Sequence, residues 1–146
     1  MGVLTDYFAA ASDERAAAVL GTSGGPYDAG LALPVVEAKG IDPVVHLGTL
    51  EELLTGVPYA EIVEGPRSGH CAGSAEGDDI VLAVTDELQR ALAQAPPDGF
   101  ASVAEAWARH VPYADPVFLA DFLRELAALA RAARERGDRL YCWICL

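Results

Sequence analysis

Asp115-Pro116 and Gly137 bracket a run in which Phe118, Phe122, Leu126, Leu129 and Ala133 recur at spacings of three and four. An acid able to cap, a proline at the first helical position and a glycine after the last turn are the start and stop signals of one long amphipathic helix. Arg131, Arg134 and Arg136 lie near its C-terminus, where the helix dipole favours positive charge. The helix leads directly into Leu140-Tyr141-Cys142-Trp143-Ile144-Cys145-Leu146, which is apolar on both faces. A strand of that kind needs structure packed above and below it, so the chain has to build a covered sheet around its own C-terminal strand.

The remaining segments supply the partners. Residues 2–9 are rich in strand formers, and Ser12 can cap a short helix carrying Asp13 and Glu14 in its first turn and ending at Gly21. Gly21-Thr22-Ser23-Gly24-Gly25-Pro26 reads as a loop, residues 31–36 as an extended stretch broken by Pro34, and Lys39-Gly40-Ile41-Asp42-Pro43 as a turn into a helix. Thr49-Leu50-Glu51-Glu52 has capping-box spacing, with Leu50, Leu53 and Leu54 on one face and Gly56 as terminator. Residues 58–64 suit one or two helical turns, and residues 65–79, with four glycines, suit an exposed loop. Ile80 to Val84 reads as a buried strand, and Thr85 caps a helix stopped by Pro96-Pro97-Asp98-Gly99. Ser102-Val103-Ala104-Glu105 is a second capping box, opening a helix that carries Trp107 and fades near His110 and Pro112. The expectation is a single α+β domain spanning residues 1–146, with a small mixed sheet packed by several helices and a long C-terminal helix followed by a terminal strand.

With 146 residues, 52% hydrophobic and 22% charged, the chain is long enough for one sizeable core, too short for two full domains and too apolar to be disordered. Its formal charge of −12 repels phosphate backbones and anionic headgroups, so neither nucleic acid nor membrane is an expected partner. Residues 1–115 hold eighteen acids against five bases, which directs a cationic partner, such as a basic protein, to that part. The longest charge-free segment, Ala16 to Tyr27, has twelve residues and three glycines, and no basic stretch precedes an apolar run at the N-terminus. A cytoplasmic protein is therefore expected, and three cysteines fit reduced thiols better than a disulfide framework. Nine arginines against the single Lys39 suggest the coding bias of a GC-rich bacterial genome.

Met1-Gly2-Val3-Leu4 with Tyr7-Phe8-Ala9, the central Leu53-Leu54-Thr55-Gly56, the capped helix from Thr85, and the long helix ending in Gly137 before a hydrophobic strand resemble the YfbM-like family. These are small bacterial α+β proteins of unknown function, so the resemblance implies a fold and no activity.

No set of side chains in the sequence composes a catalytic centre, and no cofactor is expected. Gly21 to Pro26 looks superficially like the nucleophile loop of trypsin-like proteases, but Ser23 precedes every histidine in a chain far too small for that scaffold. Cys142 and Cys145, three apart in a strand, point to opposite faces, which fits two inert thiols. A zinc site becomes the alternative if the last residues curl and His70 and Cys71 approach Cys142 and Cys145. Arg67 and His70 in the glycine-rich loop, with Tyr59 just before it, are the candidate ligand-binding residues, although a solvated loop has the same composition. Glu51-Glu52 and Asp86-Glu87 are explained by helix first turns.

Two functions follow. In the first, an acidic binding or regulatory protein of inhibitor or immunity type masks a basic site on a partner. In the second, a pocket near residues 65–79 binds a small molecule or serves an enzyme; a deep pocket holding a group of displaced proton affinity favours this one.

Overall fold

The computed structural model describes residues 3–38, 40–76 and 79–145. In chain order it runs β1 (Leu4–Ala10), α1 (Asp13–Ala17), β2 (Val36–Glu37), α2 (Val45–Thr55), α3 (Tyr59–Ile62), β3 (Cys71–Ser74), β4 (Asp79–Ala83), α4 (Asp86–Gln94), α5 (Phe100–Ala108), α6 (Pro116–Arg136) and β5 (Arg139–Cys145). Short 3-10 turns cover Ala18–Gly21, Gly25–Asp28 and Pro97–Gly99. The α+β class and the long helix leading into a covered strand stand as expected. The sheet itself differs: its order is β2-β1-β5-β4-β3 and every pairing is antiparallel, so it is not mixed.

β5 lies at the centre, paired with β1 from Leu4↔Cys145 to Ala10↔Arg139 and with β4 from Asp79↔Cys145 to Ala83↔Tyr141. Period-two alternation sends Tyr7, Ala9, Leu140 and Cys142 into one core, shared with α2, α4, α5 and α6. Phe8, Ala10, Val81, Ala83, Tyr141 and Trp143 enter a second core on the opposite face, under α1 and the turn after it. Aromatic contacts brace both: Phe122 of α6 meets Tyr7 at 5.6 Å and Trp107 at 6.1 Å between centroids, and Phe8 stacks on Tyr141 at 5.8 Å. The polar ends of these rings are satisfied, with the Trp107 indole N–H donating to the His46 carbonyl at 2.9 Å and the Tyr7 hydroxyl to that of Ile41 at 2.7 Å.

Asp115 accepts from the Val117 N–H to cap α6, and Gly137 closes it at φ 74°, a conformation that costs glycine nothing. Thr85 and Ser12 cap α4 and α1 as expected. Both capping boxes, however, fall inside helices. α2 begins at Val45, where the Asp42 carboxylate accepts from the Val44 and Val45 N–H groups, and Thr49 donates its hydroxyl back to the His46 carbonyl. α5 begins at Phe100, directly after the turn at Pro97, leaving Ser102 in its interior. Within the expected loop, Cys71–Ser74 form the edge strand β3, which pairs with β4 around an irregularity between Cys71 and Gly73. Gly77 and Asp78 lie outside the described residues. Of the extended stretch expected at 31–36, only Val36 belongs to a strand.

Candidate functional site

Three carboxylates hold side-chain hydrogen bonds from distant elements: Asp6, buried in β1 and accepting from the Tyr27 hydroxyl at 2.9 Å, with Asp13 and Glu51. Asp13 lies at the start of α1. Ser12 turns the chain there by accepting from the Arg15 N–H, and Asp13 is left facing the sheet. The Tyr141 hydroxyl of β5 donates to Asp13 Oδ1 at 2.6 Å, Arg67 Nη1 reaches Oδ1 and Oδ2 at 3.0 and 3.2 Å, and His70 Nε2 lies 3.1 Å from Oδ2. Arg67 Nη2 is 3.5 Å from the Tyr141 hydroxyl, with the guanidinium carbon 5.7 Å from the centre of that ring. The Tyr141 hydrogen bond, helped by Arg67 and His70, holds the Asp13 carboxyl below the usual carboxylate range. Burial and the facing carboxylate push the Tyr141 phenol up to about 12.

Of the ligand-binding candidates in the sequence, Arg67 and His70 thus meet on Asp13, a partner 54 and 57 positions away. Tyr59 does not join them; it packs over Gly48 of α2, so closely that a Cβ there would come within 2.6 Å of its ring. The four residues of the zinc alternative are not brought together. Cys142 is fully buried in the helix-side core, Cys145 packs into the core on the other face, and Cys71 stands exposed on the edge strand with Leu82 between it and Cys142 in the register. Among the described residues, no three His, Cys, Asp or Glu side chains converge to hold a metal ion. Burial raises the proton affinity of the Cys142 thiol strongly, which makes it a poor nucleophile.

The third carboxylate, Glu51 on α2, escaped the sequence reading. It is 5% exposed and lines a cleft of about 690 Å³ bounded by α2, α3, the 65–67 turn and α4. Leu54, Val57, Ile62, Pro66, Ala91 and Pro96 give this cleft apolar walls. Its polar lining includes Glu61, Glu87, Arg67, Arg90 and Thr85. The Thr85 hydroxyl accepts the Leu88 N–H at 3.2 Å as the cap of α4, which turns its one proton toward Glu51 Oε1. That donation is the hydrogen bond the Glu51 carboxylate receives from the described residues, while the Thr55 hydroxyl donates to the Glu51 carbonyl at 2.7 Å. Burial, with the nearby charge of Glu87, raises the Glu51 carboxyl above its ordinary value, and the Thr85 hydrogen bond offsets this only in part. One signal in the sequence pointed here: Glu51 follows Leu47 by four and precedes Leu54 by three, on the apolar side of its helix.

No protein-family model, curated protein or solved structure matches this chain. The site is therefore read from its chemistry alone. Away from the cleft, the loop between α5 and α6 presents Tyr113, fully exposed and held at φ 64°, just before exposed Val117 and Phe118. Phe118 borders a shallow depression with Phe122, Glu37, Asp121 and Glu125. No helix among the described residues is long and apolar enough to cross a membrane.

Proposed function

We propose that this protein is a small-molecule-binding domain whose ligand occupies the cleft between α2, α3 and α4. The observation that carries the reading is a nearly buried carboxylate, Glu51, on the wall of a cavity of about 690 Å³. Ligand sites are concave, mostly apolar and furnished with a few placed polar groups, and volumes of about 300–1,000 Å³ are typical of them. Keeping a carboxylate there costs stability unless something else pairs with it, and a bound ligand is that something. Binding rather than catalysis is proposed because the Asp13 carboxylate is already engaged by Tyr141, Arg67 and His70, while the buried Nε of Arg67 has no partner among the described residues.

The test is a small-fragment screen followed by amide chemical shifts of the labelled protein. Fragments that bind should move residues 51–57, 61–67 and 85–96 together, and Ala91→Trp, which fills the cleft, should abolish those shifts while the fold persists. Hits that scatter over the surface, or that survive Ala91→Trp, would sink the reading.

A second reading rests on Tyr113. A non-glycine residue at positive φ carries strain that a fold keeps only where the surroundings hold it. Here the strain presents an aromatic side chain to solvent a few residues before exposed Val117 and Phe118, and Phe118 borders a depression lined by Glu37, Asp121 and Glu125. An apolar anchor edged by carboxylates fits a basic segment of a partner protein, in keeping with the acidic balance of residues 1–115. A peptide of alternating arginine and leucine should bind there at low salt and be released by Tyr113→Ser with Phe118→Ser; unchanged binding by that double variant would refute it. Cytoplasmic placement and kinship with the YfbM-like family are proposed as well. The kinship is supported by the order of β1, the α2 terminus at Gly56, the Thr85 cap and the α6-to-β5 passage at Gly137.

A further inference from the structure

We infer that the cleft selects small organic cations, a primary amine or guanidine on an apolar chain, with the cationic head against Glu51 and the chain along Leu54, Ile62 and Pro96. This rests on the ligand-binding reading above and adds the class of ligand.

An ionised carboxylate offers about four acceptor positions. Thr85 fills one on Oε1, and no other described side chain donates to the pair. The carboxylate is 5% exposed, so bulk water satisfies little of what remains. An ammonium or guanidinium brings several N–H donors and a full positive charge to that position, and charge-assisted hydrogen bonds are roughly twice as strong as neutral ones. A neutral alcohol supplies one donor without charge, and an anion meets repulsion.

The other charges in the cleft agree with this choice. Glu61 and Glu87 add negative potential, whereas the guanidinium of Arg67 is already turned onto Asp13 and Tyr141. Arg90 also lines the cleft and is exposed like Glu61 and Glu87, so the lining carries three carboxylates, Glu51, Glu61 and Glu87, against two guanidiniums, of which Arg67 is engaged by Asp13. A metal ion is disfavoured because the carboxylates do not converge: no group of three metal-ligating side chains exists among the described residues. The apolar walls point the same way, since a hydrated metal ion gains nothing from Leu54, Ile62 and Pro96, while an alkyl chain buries surface on them. Ammonium in the cleft also stabilises ionised Glu51, so the amine should bind more tightly as pH rises through the titration of that carboxyl.

The test compares n-hexylamine, 1-hexanol and hexanoate against the intact protein by calorimetry and amide chemical shifts. Hexylamine should bind at least tenfold more tightly than either of the others. Glu51→Gln, which keeps the side-chain volume and the Thr85 contact, should weaken hexylamine at least tenfold and leave hexanol unchanged, with its own unfolding midpoint recorded to show that it folds. Equal affinity for all three probes, or full hexylamine affinity in Glu51→Gln, would overturn the cation assignment and leave the cleft reading standing. Absence of shifts at residues 51–57 and 85–96 with every probe would overturn both.

Discussion

Asp13 and Glu51 are the same functional group placed in opposite circumstances. Asp13 lies 35% exposed yet is held by Tyr141, Arg67 and His70. Glu51 is far more buried and receives a single donor, Thr85. The proton affinity of the first is lowered by its partners, and that of the second is raised by its burial. The pair shows that hydrogen-bond partners can outweigh desolvation in setting the proton affinity of a carboxylate. A saturated carboxylate ties elements together, in this case α1, the 65–70 segment and β5. An undersaturated one is a standing cost that a ligand can remove.

The largest effect should come from breaking the saturated side. Asp13→Ala strips partners from Arg67 and Tyr141 at once and should destabilise the fold by about 2 kcal/mol, a figure held down by solvent screening. Urea unfolding measures it, and a loss near zero would show that the cluster is decorative. Tyr141→Phe removes one donor and keeps the ring on Phe8, so a loss of about 1 kcal/mol is expected. If it matched Asp13→Ala, the hydroxyl rather than Arg67 would be the main support.

The smallest effect, and the sharpest, is of opposite sign. Glu51→Gln should stabilise the unliganded protein slightly at neutral pH, read as a rise in the urea midpoint smaller than the fall in Tyr141→Phe. Linkage gives each carboxylate its own window. Asp13, lowered in the fold, contributes stability fully above its ordinary value of 3.8, and the contribution is lost as pH falls through the lower folded value. Glu51, raised in the fold, favours the folded state below its ordinary value of 4.5, and that advantage is lost as pH rises through the higher folded value. The deficit of Asp13→Asn should therefore shrink in acid, and the gain of Glu51→Gln should shrink in acid as well, because both wild-type charges are then neutralised. A Glu51→Gln gain that did not change with pH would mean that ionisation of Glu51 carries no cost.

Legibility from sequence follows the same division between local and distant causes. Caps with a local mechanism were readable: Ser12, Thr85, Asp115, Gly56 and Gly137 act on residues within one turn. Thr49 and Ser102 misled because Ser/Thr-x-x-Glu also occurs within helices, where Thr49 bonds back to His46, and because Asp42 and Pro97 had already set the true starts. β3 was missed since Cys71-Ala72-Gly73-Ser74 has no strand-forming side chains; pairing with β4 makes it a strand, and Gly73 lets it lie against Ala17 and Leu20. For the same reason the Asp13 cluster was only half visible. Arg67 and His70 stood out by composition, but nothing local connects them to Asp13 or to Tyr141, 128 positions beyond it. A cleft does form beside residues 65–67, and Glu51 on its wall has the sequence context of an ordinary first-turn acid.

The place of β5 between β1 and β4 has a consequence for synthesis in the cell. β1 ends at Ala10 and its partner begins at Arg139, so the ribosome adds roughly 130 residues before the two can pair. At translation rates of about 5–20 residues per second that takes about 6–26 s. Throughout that interval Phe8 waits for Tyr141, and the edge of β1 that β5 will cover is open to chaperones and to neighbouring chains on the same message.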